Sequence, residues 1–166
     1  GLDLLTRLAP FAPVVIGTPP LGIATAVSDI DIACSAPEPA AFLAVTARHF
    51  GQLEGYTVRK TNIQGHPTTI VRFHHAGWEL EIFCQPIETA RQWGVRHFQV
   101  EQRLLVLEPA LRGEVRRLKE SGLKTEPAFA RLLDLAGDPY EAVLALETAS
   151  DEQLMRIISS RPSKAE

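Results

Sequence analysis

The sequence predicts an α+β domain: a small mixed β-sheet with flanking helices, followed by a C-terminal helical bundle. Three observations predict it. Short runs in the first half alternate with period two, as in Asp29-Ile30-Asp31-Ile32 and Glu79-Leu80-Glu81-Ile82. Turn signals at Gln64-Gly65-His66 and Ala76-Gly77 separate three such runs as hairpins do. After Pro86 the composition changes to long side chains with few breakers, which reads as helix.

Taken in order, residues 2–9 read as a short amphipathic helix ended by Pro10. Residues 14–16 are a brief apolar strand running into a Gly17-Thr18 turn. Residues 28–34 form an acidic strand. Ser35 and Glu38 form a capping box with Pro37 in the first turn, and the helix stops at Gly51. Strands follow over 57–63, 68–74 and 78–84. Helical stretches cover 88–107 and 110–120. Thr125 is expected to cap a helix that reaches Gly137, and Asp138 caps another with Pro139 at its first position. A last helix covers 151–159, and the tail from Ser160 is expected to fray. The expected organisation is a core over 1–86 with a helical part over 87–166 packed on it, one compact domain in all.

A chain of 166 residues with 45% apolar and 22% charged residues suits one core. Its net charge of −3 argues against bulk electrostatic binding to long nucleic acid. No apolar run approaches ~18 residues, so no membrane span is expected. No signal-peptide pattern opens the chain, and Gly1 in place of Met reads as a processed or cloned start. Cys34 and Cys84 share parity with the apolar faces of their strands, so two buried reduced thiols and a cytoplasmic setting are expected. The five histidines show no standard zinc spacing. Neither a P-loop, a dinucleotide fingerprint nor a nucleophile elbow occurs.

The chemistry concentrates in Gly17 to Ile32. Residues two apart in a strand face the same way, ~6–7 Å apart at the backbone. Asp29 and Asp31 therefore project together, while Ile30 and Ile32 point into a core. Adjacent carboxylates repel unless a cation lies between them, and Mg²⁺ favours such oxygen sites. The strand around Glu79 and Glu81 repeats this polarity. If the two strands pair, four carboxylates line one surface. By themselves such acids also suit a solvated polar face.

Gly17, Thr18, Asp29 and Asp31, with Ser28 before the acidic pair, resemble the signature of the DNA polymerase beta-like nucleotidyltransferase superfamily. Further stretches, SDIDIAC, ELEIFCQP, RHFQVEQRLL, GLKTEPAFARLL and GDPYEAVLAL, resemble the bacterial family DUF4269, which is nucleotidyltransferase-like. The resemblance implies a nucleotidyltransferase-type sheet, with Asp29 and Asp31 holding Mg²⁺ or Mn²⁺. It implies a third carboxylate from a neighbouring strand, for which Glu81 is favoured and Glu79 is the alternative. Both are glutamates where the commonest pattern has aspartate. Gly17, Thr18 and Ser28 would face an NTP. Many small relatives carry arginine in the following loop, whereas residues 19–24 here hold no cation. Basic groups would come from elsewhere, with Arg96, His97 and Lys124 as the candidates and a basic run over 112–124 beside them.

The resulting expectation is a metal-dependent enzyme moving a nucleoside monophosphate from an NTP to an acceptor. The acceptor is a small molecule, a protein side chain or an RNA end. The alternative is an inactive nucleotide-binding or antitoxin-like interaction module, which the cation-free loop favours.

Overall fold

A computed structural model describes residues 2–161. Gly1, and the part of the expected frayed tail from Pro162 on, lie outside the described residues. The elements are α1 (Leu4–Leu8), β1 (Val14–Ile16), β2 (Ile30–Ser35), α2 (Pro39–Phe50), β3 (Thr57–Ile63), β4 (His66–His75) and β5 (Trp78–Gln85). They are followed by α3 (Trp93–Leu107), α4 (Leu111–Glu120), α5 (Thr125–Leu132), α6 (Pro139–Leu144) and α7 (Asp151–Ser160). The chain divides into two compact units: Gly1–Pro19 with Ser28–Val95, and Pro20–Val27 with Arg96–Glu166.

The first unit is built on a five-stranded mixed sheet of order β1-β2-β5-β4-β3. β2 and β5 run parallel, and the other neighbours are antiparallel. Both hairpins of β3–β4–β5 close with two residues at positive φ: Gln64 and Gly65, then Ala76 and Gly77. This geometry follows the twist of the strands it joins. One sheet face carries Ile32, Val71, Phe73, Leu80 and Ile82, buried with Leu8, Phe11, Phe42 and Phe50 from the N-terminal segment and α2. Cys34 and Cys84 are register partners on this face, both buried and unbridged. Burial pushes their thiols up, to about 12 and about 11.

The second unit is helical. Its core joins Val100, Leu104 and Leu105 of α3 to Leu111 and Val115 of α4, Phe129 of α5, Val143 of α6 and Leu154 of α7. Leu21 and Ile23 are buried in the same cluster, so the apolar loop after Pro20 is a piece of this core. Arg112 Nε donates to the Leu21 carbonyl at 3.1 Å.

Several elements depart from expectation. β2 starts at Ile30 instead of residue 28, because Ile16, the last residue of β1, already pairs with Asp31 and Gly17 then turns away. Ser35 is no capping residue: it continues the ladder opposite Gln85, and the helix starts at Pro39, whose missing N–H suits a first position. The helix expected from residue 88 is interrupted. A 3-10 turn covers Thr89–Arg91, Gln92 is extended, and α3 begins at Trp93. Gln92 is buried and donates to the Cys34 carbonyl at 2.7 Å, which favours the extended backbone over a helical turn. Thr125 does not cap α5, since its hydroxyl accepts from Lys119 Nζ. α5 ends at Leu132, short of Gly137, and Asp134 follows at a φ of +52°. Asp138 caps α6, accepting from the N–H groups of Tyr140 and Glu141.

Candidate functional site

The site builds from the parallel pairing of β2 with β5, which sets Asp31 directly beside Glu81. Alternation turns both away from the core that holds Ile32 and Ile82. Asp29, just before β2, completes the group. Carboxylate oxygens of Asp29, Asp31 and Glu81 all lie within 4.8 Å of one another. One Mg²⁺ binds oxygens at ~2.1 Å each, so these three carboxylates would hold such an ion once their side chains draw in around it.

Gly17 is tied to this cluster by space. A Cβ at Gly17 would stand 2.6 Å from Asp31 Oδ2, and its φ is +78°. Only glycine meets both conditions without strain. Thr18 donates from Oγ1 to Ser28 Oγ at 2.9 Å, which clasps the two ends of the intervening loop.

Glu79 stands apart from the triad. It faces His74, its register partner on β4, with a contact of 3.4 Å, and Arg72 at 3.5 Å. Arg72 itself pairs across the strands with Glu81. Its Nε donates to Glu81 Oε1 at 2.7 Å, and Nη2 donates to the same oxygen. The bond to Glu81, then the charges of Glu81, Glu79 and Asp29, push the guanidinium pKa up. Sequence reasoning missed Arg72. The signal was the alternation in β4, where Thr68, Ile70, Arg72 and His74 share one face.

Beyond Asp31 the same face turns apolar. Ile70, Phe83 and Ala33 form the next row by register, and Gln85 follows. Residues 92–95 cross this end of the face. Thr89 Oγ1 donates to the Ala12 carbonyl at 2.9 Å, and the Gln92 bond to Cys34 holds the segment down. A cavity of about 240 Å³ remains between, with Asp31 in its lining.

Arg96 and His97, two of the expected nucleotide contacts, have partners within the helical unit. Arg96 forks onto Glu147, with Nε to Oε1 at 2.9 Å and Nη2 to Oε2 at 2.6 Å. That bond pulls the Glu147 carboxyl down. His97 is 2% exposed, and its Nε2 lies 2.9 Å from the Tyr140 carbonyl. Lys124 is exposed at the residue preceding α5.

Comparison with solved structures defines the class of fold. The RNA terminal uridylyl transferase Cid1 aligns over 81% of this chain and 44% of its own, with 16% identity and a TM-score of 0.54. Cid1 poly(U) polymerase bound to MgATP aligns over 86% and 45%, with 15% identity and a TM-score of 0.53. The GLD-2/RNP-8 complex aligns over 93% and 70%, with 10% identity and a TM-score of 0.52. The chain thus has the nucleotidyltransferase fold, and it spans under half the length of these Cid1 chains. It belongs to the DUF4269 family, described as a domain of unknown function, whose profile matches residues 1–146. No match was found among functionally curated proteins. Among the described residues no helix is long and apolar enough to cross a membrane.

Proposed function

We propose that this protein transfers a nucleoside monophosphate from an NTP to an acceptor, with a divalent cation as cofactor. The observation that carries the reading is the convergence of Asp29, Asp31 and Glu81 within 4.8 Å, beside a glycine with no room for a side chain. Mg²⁺ or Mn²⁺ held by these three carboxylates would neutralise triphosphate charge. Gly17 lets backbone approach phosphate, and the Thr18 and Ser28 hydroxyls supply hydrogen bonds. The acceptor class is a small molecule, a protein side chain or an RNA end, and the net charge of −3 disfavours long nucleic acid. The buried thiols agree with a reducing, cytoplasmic setting.

A second reading, nucleotide binding without turnover, is favoured by one observation. The loop after the glycine turn places Leu21 and Ile23 in a hydrophobic core and carries no cation of its own.

Thermal stabilisation tests the site. A ligand that binds the folded state raises Tm by mass action, by ~2.7 kcal/mol of stability at a hundredfold excess over Kd. Each NTP is added with and without Mg²⁺ or Mn²⁺, to the wild type and to Asp29→Ala/Asp31→Ala. The expected outcome is a metal-dependent Tm rise that the double variant loses. Equal shifts in both proteins would refute the site. Pyrophosphate release with candidate acceptors then separates transfer from binding alone.

A further inference from the structure

We propose that the cavity beside Asp31 is the acceptor pocket, and that the acceptor is a small molecule carrying a hydroxyl on an apolar, ring-sized body. This deepens the transferase reading and rests on it.

Ile16 pairs with Asp31, and Val14 pairs with Ala33. The Gly17 turn therefore leaves β1 on the Asp29 side of Asp31. The cavity runs the opposite way, past Ala33 and Phe83 to Gln85. Turn and cavity thus lie on opposite sides of Asp31. In an in-line displacement the incoming and departing oxygens also lie on opposite sides of the phosphorus. With the β- and γ-phosphates at the glycine turn, the attacking hydroxyl comes from the cavity.

The walls then define the acceptor. Ile16, Ala33, Ile63 and Phe83 supply apolar surface, and Trp93 adds an indole. Two amides break the apolar lining. Gln85 Nε2 donates to Thr68 Oγ1 at 2.8 Å, and Gln92 Nε2 donates to Cys34 O at 2.7 Å. These bonds hold both amides at the cavity wall, where they give an otherwise apolar lining polar groups that suit a hydroxyl. At ~30 Å³ per water, the 240 Å³ space equals about eight waters, room for one substituted ring. A polymer end with its charged backbone does not match such walls.

The step balances within these parts. The acceptor oxygen attacks the α-phosphorus and a new P–O bond forms. The bond from that phosphorus to the oxygen bridging it to the β-phosphate breaks, and pyrophosphate leaves with that electron pair. The hydroxyl proton passes to Asp31, the carboxylate in the cavity lining.

The test uses 2-phenylethanol as probe and follows the indole N–H signals of the two tryptophans by NMR. Trp78, which is not in the lining, is the internal reference. Ile63→Phe and Ala33→Leu fill the cavity from two strands. The expected result is a saturable shift at Trp93 alone, with affinity about tenfold weaker in either variant, as overpacking predicts. Both variants keep the magnesium–nucleotide Tm shift. An unmoved Trp93 signal, or equal affinity in the filled variants, would overturn the pocket. So would transfer to a short RNA 3′-hydroxyl that proceeds undiminished in Ile63→Phe. Alcohol binding with no magnesium–nucleotide shift in the wild type would overturn the acceptor role by removing the transferase reading, while leaving the pocket itself standing.

Discussion

Arg72 and a divalent cation draw on the same oxygens. The guanidinium balances Glu81 and, more weakly, Glu79 and Asp29. A cation bound to Asp29, Asp31 and Glu81 must share Glu81 Oε1 or displace Arg72 from it. Arg72 is 46% exposed at its side chain but Glu81 only 12%, so the ion that displaces the guanidinium must itself balance the Glu81 charge. Arg72→Met removes the competitor and leaves three carboxylates facing one another. The variant should melt lower than the wild type without metal and gain more Tm from Mg²⁺, read by a Mg²⁺ titration at low ionic strength. Equal gains would mean that Arg72 and the ion do not compete.

At the scale of elements, short helices in this chain depend on their ends. α6 has six residues, too few to be stable by propagation alone. Asp138 meets two of its orphan donors, the N–H groups of Tyr140 and Glu141, each at 3.0 Å. Asp138→Ala should cost about 1 kcal/mol in urea unfolding, and Asp138→Asn should recover most of it. No loss would show that core burial of Val143 holds α6 without its cap. α7 uses a reciprocal box, in which Ser150 and Gln153 cap each other's backbone. The segment after β5 is held by side chains instead: Thr89 and Gln92 fix it across the sheet, and this lets a cavity persist there.

For the molecule as a whole, stability depends on pH through a buried acid. Glu101 on α3 is 5% exposed. Burial pushes its pKa well up, Glu126 adds to this, and Lys119 opposes it. Below about pH 4.3, the unperturbed glutamate value, both folded and unfolded chains hold the proton. As pH rises, the unfolded chain releases it first, so the unfolded state binds fewer protons and stability falls. Glu101→Gln removes this dependence. Relative to wild type, the variant's Tm advantage should grow from about pH 4.3 upward. A constant difference across pH would mean that Glu101 ionises freely in the fold.

The sequence by itself determined the α+β class and the strands with their hairpin turns. It also determined the inward parity of Ile32, Ile82, Cys34 and Cys84. These features rest on local physics: side-chain alternation, positive-φ turn residues and breaker composition act within a few residues. It also singled out Asp29, Asp31, Gly17 and the glutamate pair, because alternating acids beside a glycine turn are visible in one dimension. Strand pairing alone decided which glutamate joins the aspartates. Register is a property of two strands, and a shift of two residues would have exchanged Glu81 for Glu79 while keeping both on the same face. The same pairing brought Arg72 onto Glu81, 9 residues away in sequence. Tertiary packing also overruled local signals. Ser35 was kept in the β2–β5 ladder, Thr125 was taken by Lys119, and Gln92 was drawn out of a helix by the Cys34 carbonyl. In each case a partner distant in the chain or in the next helix used a group that the local pattern had assigned elsewhere. Long-range contacts of this kind cannot be read from neighbours in sequence.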